Sequence, residues 1–148
     1  MEPGLTIKFL WHDTDVVEVS IAASNGEFSG VSRAYIDRDD PRIAASTLEG
    51  FPKRPDDIRE VSFGTLDPQF AGGGAQLRFL CKDSSGHAVV EIRIACEAEP
   101  ESNRLSRPTQ SAHFYADVEA AAIDDFVREL KAFDPDESGS AYLRFGSR

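Results

Sequence analysis

Long apolar runs are absent from this 148-residue chain. The opening "MEPGLTIKFLW" carries an acid at Glu2, no basic stretch and only a short apolar segment. It reads as neither a signal peptide nor a membrane span, and the cytosol is the expected location. Concentrated positive charge is also absent. Lys and Arg number 16 against 26 Asp and Glu, a formal net charge of −10. The first 74 residues hold 7 basic and 13 acidic side chains and the remainder 9 and 13, so no segment forms a basic footprint for a phosphate backbone. Nucleic acid and membrane are therefore not the expected partners. Sequence repeats are missing as well, which excludes a solenoid and leaves one domain spanning residues 1–148.

The usual signatures of catalysis are equally scarce. There is no Gly-x-Ser-x-Gly elbow and no glycine loop ending in Gly-Lys-Ser/Thr. The three histidines, His12, His87 and His113, stand alone, without the paired spacing that zinc or iron sites require. They read as surface or strand-end residues, so no metal, no cofactor and no catalytic residue is assigned. Adjacent carboxylates at Asp39-Asp40, Asp56-Asp57 and Asp124-Asp125 read as helix caps or solvated corners. In "FAGGGAQLRF" a strand, not a helix, follows Gly72-Gly73-Gly74, so the glycines read as a hinge or tight strand entry and not as an anion cradle.

What is present is strand pattern. In "LTIKFLW" Leu5, Ile7, Phe9 and Trp11 alternate onto one face. "VVEVSIAAS" continues to Asn25-Gly26, which predicts a two-residue hairpin turn. That turn pairs Ser24 with Glu27 and sets Glu18 opposite Arg33. The inward stripe Gly30, Ser32 and Ala34 leaves room for something bulky, most simply a helix. A short helix is expected in "DRDDPRIAASTLEGF", capped by Asp40, with Ile43, Thr47, Leu48 and Phe51 as its apolar side. Next come a strand with Val61 and Phe63 inward and a hairpin closed by Asp83-Ser84-Ser85-Gly86. The hairpin sets Lys82 opposite His87, Arg78 opposite Glu91, and Ala75, Leu77, Phe79 and Cys81 opposite Ile94, Ile92, Val90 and Ala88. Cys96 then lies about 26 Å along the ladder from Cys81, too far for a disulfide. A strand at "QSAHFYADV" leads to a helix capped by Asp117, with Ile123, Phe126, Val127, Leu130 and Phe133 in one stripe. "AYLRF" is a last strand or an arm.

The order βββαββββα, with that final strand, predicts an α+β domain. Its expected form is a largely antiparallel sheet of seven or eight strands with two helices packed on one face. An open sandwich or half-barrel with two helices is the alternative.

The stretches "NGEFSG", "LEGFP", "GGGAQLRF", "GHAVVEIRI" and "AAAIDDFVRELKAF" together resemble small bacterial single-domain families of unknown function. In general character the chain is similar to immunity proteins that neutralise a cognate toxin. The resemblance implies a non-enzymatic protein that binds another protein. The acidic balance selects a basic partner. The candidate contacts are Asp124, Asp125, Glu129, Asp134, Asp136 and Glu137 around the last helix, with Phe51, Phe70 and Tyr142 as aromatic anchors. The alternative is a small-molecule site or enzyme pocket between sheet and helices near Phe70 to Gly74.

Overall fold

A computed structural model describes residues 2–67, 73–85, 87–97, 109–136 and 138–146. In chain order these form β1 (Gly4–His12), β2 (Val17–Ser24), β3 (Ser29–Ile36), α1 (Asp40–Leu48), β4 (Ile58–Gly64), β5 (Gly74–Cys81), β6 (Ala88–Glu97), β7 (Thr109–Val118), α2 (Ala120–Ala132) and β8 (Ser140–Arg144). The class is α+β and every described strand pairing is antiparallel. The strands divide into two sheets of four instead of forming one, ordered β3-β2-β1-β8 and β4-β5-β6-β7. "AYLRF" supplies the strand β8, which runs beside β1 with Leu5 opposite Leu143 and Ile7 opposite Ala141.

The β5–β6 hairpin has the expected register throughout, from Cys81 opposite Ala88 to Ala75 opposite Ile94, with Arg78 opposite Glu91. Lys82 N–H donates to the His87 carbonyl at 2.7 Å and closes the loop. Both cysteines are free thiols. In the β2–β3 hairpin the expected register is wrong by two residues: Ser24 pairs with Ser29, and Glu18 faces Tyr35 instead of Arg33. The Asn25 carboxamide oxygen accepts from the N–H groups of Glu27 and Phe28 (2.9 and 2.8 Å), and Asn25 N–H donates to the Phe28 carbonyl. These bonds hold a four-residue loop where a two-residue turn was expected. An even shift preserves the faces, so Val17, Val19 and Ile21 still point inward and are fully buried.

The small-residue stripe of β3 meets the second sheet, not a helix. β3 runs across that sheet and touches all four of its strands. A Cβ added to Gly30 would stand 2.5 Å from the Ile94 methyl, and one added to Gly73 would stand 2.3 Å from the Ala95 carbonyl and 2.4 Å from the Ser32 hydroxyl. Gly64, at φ +74°, comes within the same reach of Ala34. At the crossing the buried Ser32 hydroxyl donates to the Ala95 carbonyl at 2.6 Å. Side chains at these glycines would hold the two backbones apart. Gly73 is thus a packing residue where the sheets cross, whereas a Cβ on Gly74 would meet the backbone of Phe63 and Thr65 within its own sheet.

The helices pair with each other, α1 beside β4 and α2 beside β8. α2 buries the predicted stripe of Ile123, Phe126, Val127, Leu130 and Phe133. Each of its large side chains contributes about 1.5–3 kcal/mol of burial. The α1 face differs from expectation. Pro41, Ala44, Ala45 and Leu48 are buried at i, i+3, i+4 and i+7, while Ile43 is 58% exposed. The N-cap positions are Asp39 and Glu119, neither with a side-chain cap. The carboxylate of Asp40 instead accepts from Asp37 N–H, and that of Asp117 pairs with Lys82 at 3.4 Å. At the other end of α1, Arg59 donates to the carbonyls of Thr47 and Glu49 and to the Asp57 carboxylate. That fork satisfies orphan helix carbonyls and lowers the Asp57 pKa.

Candidate functional site

Of the aromatic anchors expected from sequence, Phe51 is buried and Tyr142 half-buried. Phe51 is 2% exposed, its ring edge-on to Phe79 and covered by the Arg59 guanidinium. The hydroxyl of Tyr142 donates to the Pro3 carbonyl at 3.2 Å, and its ring lies against Gly4. Phe70 and Glu137 lie outside the described residues. The acidic residues around α2 are partly neutralised. Asp125 pairs with Arg128 at 3.0 Å and Arg144 at 3.8 Å, Asp136 pairs with Arg38, and Asp134 accepts from Asp136 N–H. Asp124 is exposed and Glu129 half-buried.

The outer face of the second sheet carries a dense polar network centred on Glu91. Cross-strand pairing places Glu91 between Arg78 on β5 and Tyr115 on β7, with His113 and Arg93 in the next row. Its Oε2 is 2.7 Å from His113 Nε2 and accepts from the Tyr115 hydroxyl at 3.0 Å; the two guanidinium groups stand 3.5 and 3.6 Å away. These long side chains cover the carboxylate, which is only 9% exposed although it lies on a solvent face. Burial pushes the Glu91 carboxyl up, but the hydrogen bonds from His113 and Tyr115 and the two arginine charges outweigh it and hold the group below its ordinary value. The shared bond raises the Tyr115 phenol. Beside the network, the Gln76 amide donates to Glu60. Nearly every polar group here has its partner within the sheet.

The outer face of the first sheet is composed differently. A β-bulge between Phe9 and Trp11 breaks the alternation of β1. Trp11, expected on the core face, therefore turns out and is 50% exposed. The rows that follow from the registers are Tyr142-Thr6-Ala22-Val31, Ser140-Lys8-Ser20-Arg33 and Trp11-Glu18-Tyr35. Val31 and Tyr35 are 59% and 47% exposed, and Phe28 at the hairpin tip 62%. Among the described residues Lys8, Glu18 and Arg33 make no ion pair. The tip is fixed in place, because the Asn25 side-chain amide donates to the Tyr115 carbonyl on edge strand β7 at 2.8 Å. Below it a cleft of about 110 Å³ opens between Val31 on β3 and Ser111 on β7.

Three loops meet at the far end of the first sheet. Arg38 joins them, donating to the Asp13 carbonyl and pairing with Asp136, while the Asp13 carboxylate closes its own turn on Asp15 and Val16. Among the described residues no three His, Cys, Asp or Glu side chains are grouped to hold a metal ion. Nor is any described helix long and apolar enough to cross a membrane.

Sequence reasoning missed Trp11, Val31, Tyr35 and Phe28 as surface residues. For Val31 and Tyr35 the signal was present, since their parity on β3 is opposite to that of Ser32 and Ala34. For Trp11 it was hidden by the bulge. Compared with protein-family models, with curated proteins and with solved structures, the chain matches none.

Proposed function

We propose that this protein acts without catalysis, by binding a basic protein partner through the outer face of its first sheet. The observation that carries the reading is the exposure of Trp11 on β1 and of Val31 and Tyr35 on β3, either side of β2, beside charged groups that have no ion-pair partner among the described residues. Exposed Trp and Tyr on a rigid scaffold are the side chains that dominate protein interfaces, because they bury much area at small conformational cost. The net charge of −10 supports a basic partner. The exposed Asp124 and half-buried Glu129 of α2 add to the field that draws such a partner in without needing to touch it. Neutralisation of a basic toxin is the form this reading takes if the resemblance in character to immunity proteins holds.

The test is native affinity capture with the immobilised chain at low salt, repeated with a Trp11→Ala/Tyr35→Ala double variant. The expected result is a basic protein retained by the unaltered chain and released both by the double variant and by raised ionic strength. Equal retention by the double variant would place the interface elsewhere.

A further inference from the structure

Within that binding face one row has a more specific chemistry. Trp11 is opposite Glu18, and Glu18 is opposite Tyr35, so two half-exposed aromatic rings flank one carboxylate on a single line across β1, β2 and β3. Directly opposed residues in an antiparallel pair have Cβ atoms about 5 Å apart, which sets the two aromatic positions about 10 Å apart with Glu18 between them. That spacing leaves room for one guanidinium or alkylammonium group between the two aromatic side chains, above the carboxylate. The Glu18 carboxylate has no hydrogen bond or ion pair among the described residues, and Lys8 and Arg33 belong to the next row, where each stands opposite Ser20. A cation entering from outside would meet two ring quadrupoles and an unneutralised acid.

We infer that the Trp11-Glu18-Tyr35 row is a receptor site for a single lysine or arginine side chain of the partner. The inference rests on the protein-binding reading above and names the group that would be recognised. Charge complementarity selects the occupant: a neutral or acidic side chain would leave Glu18 unpaired or repelled, while a basic one satisfies carboxylate and rings together.

Trp11 is the only tryptophan in the chain, so its fluorescence reports on this row alone. The experiment titrates the full chain with an acetylated, amidated Gly-Arg-Gly-Arg-Gly peptide, and separately with the same peptide carrying neutral citrulline. The expected result is a saturable change in Trp11 emission with the arginine peptide, at least about tenfold weaker with citrulline. Glu18→Gln should weaken the arginine peptide about fivefold and Tyr35→Leu several-fold, while Glu60→Gln, on β4 of the second sheet, leaves it unchanged. Absence of a saturable change, an equal response to citrulline, an unaltered affinity in Glu18→Gln, or an equal loss in Glu60→Gln would each overturn the site. The titration needs no natural partner. A negative result alongside captured partner that still depends on Trp11 therefore removes the cation site alone. Loss of both removes the binding reading itself.

Discussion

The two sheets have four strands each and share one apolar core, yet their outer faces solve opposite problems. On the second sheet the charged side chains are turned on one another. Glu91 accepts from His113 and Tyr115 and sits between Arg78 and Arg93, and the result is a carboxylate hidden by its own partners. On the first sheet Trp11, Val31 and Tyr35 stand exposed, and Lys8, Glu18 and Arg33 are left unpaired among the described residues. A face whose polar groups are already satisfied has little to offer a partner, because any new contact must first break an existing one. A face of exposed rings and unpaired charges gains on contact. Exposed apolar side chains occur on both faces, Tyr115 and Ile58 on the second; the hydrogen bonds and ion pairs separate them.

That contrast can be broken or sharpened by substitution. The largest effect is expected at the crossing on which both faces depend: Gly73→Ala drives a methyl into the Ala95 carbonyl and should cost about 3 kcal/mol in urea denaturation. Glu91→Ala comes next, at about 2 kcal/mol, since it strips the acceptor from His113 and Tyr115 and leaves two guanidinium groups facing each other. A pH dependence with a definite sign accompanies it. The Glu91 pKa lies below its ordinary 4.5 in the folded protein. Its contribution is therefore complete above pH 4.5 and is lost as pH falls through the lowered folded value. Asp13, Asp57 and Asp83, also lowered, act in the same direction at lower pH, while Asp40, raised by burial, opposes them. Denaturation curves from pH 7 to pH 3 should show falling stability, and Glu91→Gln should flatten the slope. The smallest effects belong to the first sheet: Glu18→Gln and Tyr35→Ala should each change stability by no more than about 0.5 kcal/mol. A loss of 2 kcal/mol at Glu18 would erase the distinction.

How much of this was legible in the sequence depended on whether the deciding contact was local. The β5–β6 register was readable because only one pairing sets Leu77, Phe79 and Cys81 against Ile92, Val90 and Ala88 while also bringing Arg78 to Glu91. The β2–β3 register failed because the Asn25 side chain competes for backbone N–H groups and widens the turn, a choice that the dipeptide Asn25-Gly26 does not reveal. For α1 the expectation set Ile43 and Thr47 beside Leu48 and Phe51, whereas the buried face of the helix is Pro41, Ala44, Ala45 and Leu48. The division into two sheets was raised only as the alternative, an open sandwich, and could not be chosen from pattern, since it rests on β8 returning to β1 and on β3 crossing the second sheet without joining it. Those are contacts between distant segments, and the pattern within a segment does not encode them. The stripe Gly30, Ser32, Ala34 did announce room for a neighbour, but the helix expected there is the second sheet.

The most direct test of the division of labour between the faces is one side-by-side measurement: partner retention and thermal unfolding for the unaltered chain, Trp11→Ala/Tyr35→Ala and Glu91→Gln. The double variant should lose the partner with its melting temperature nearly unchanged, and Glu91→Gln should melt earlier while still retaining the partner. The opposite pairing, with Glu91→Gln losing the partner and the double variant retaining it, would assign binding to the second sheet and contradict the account.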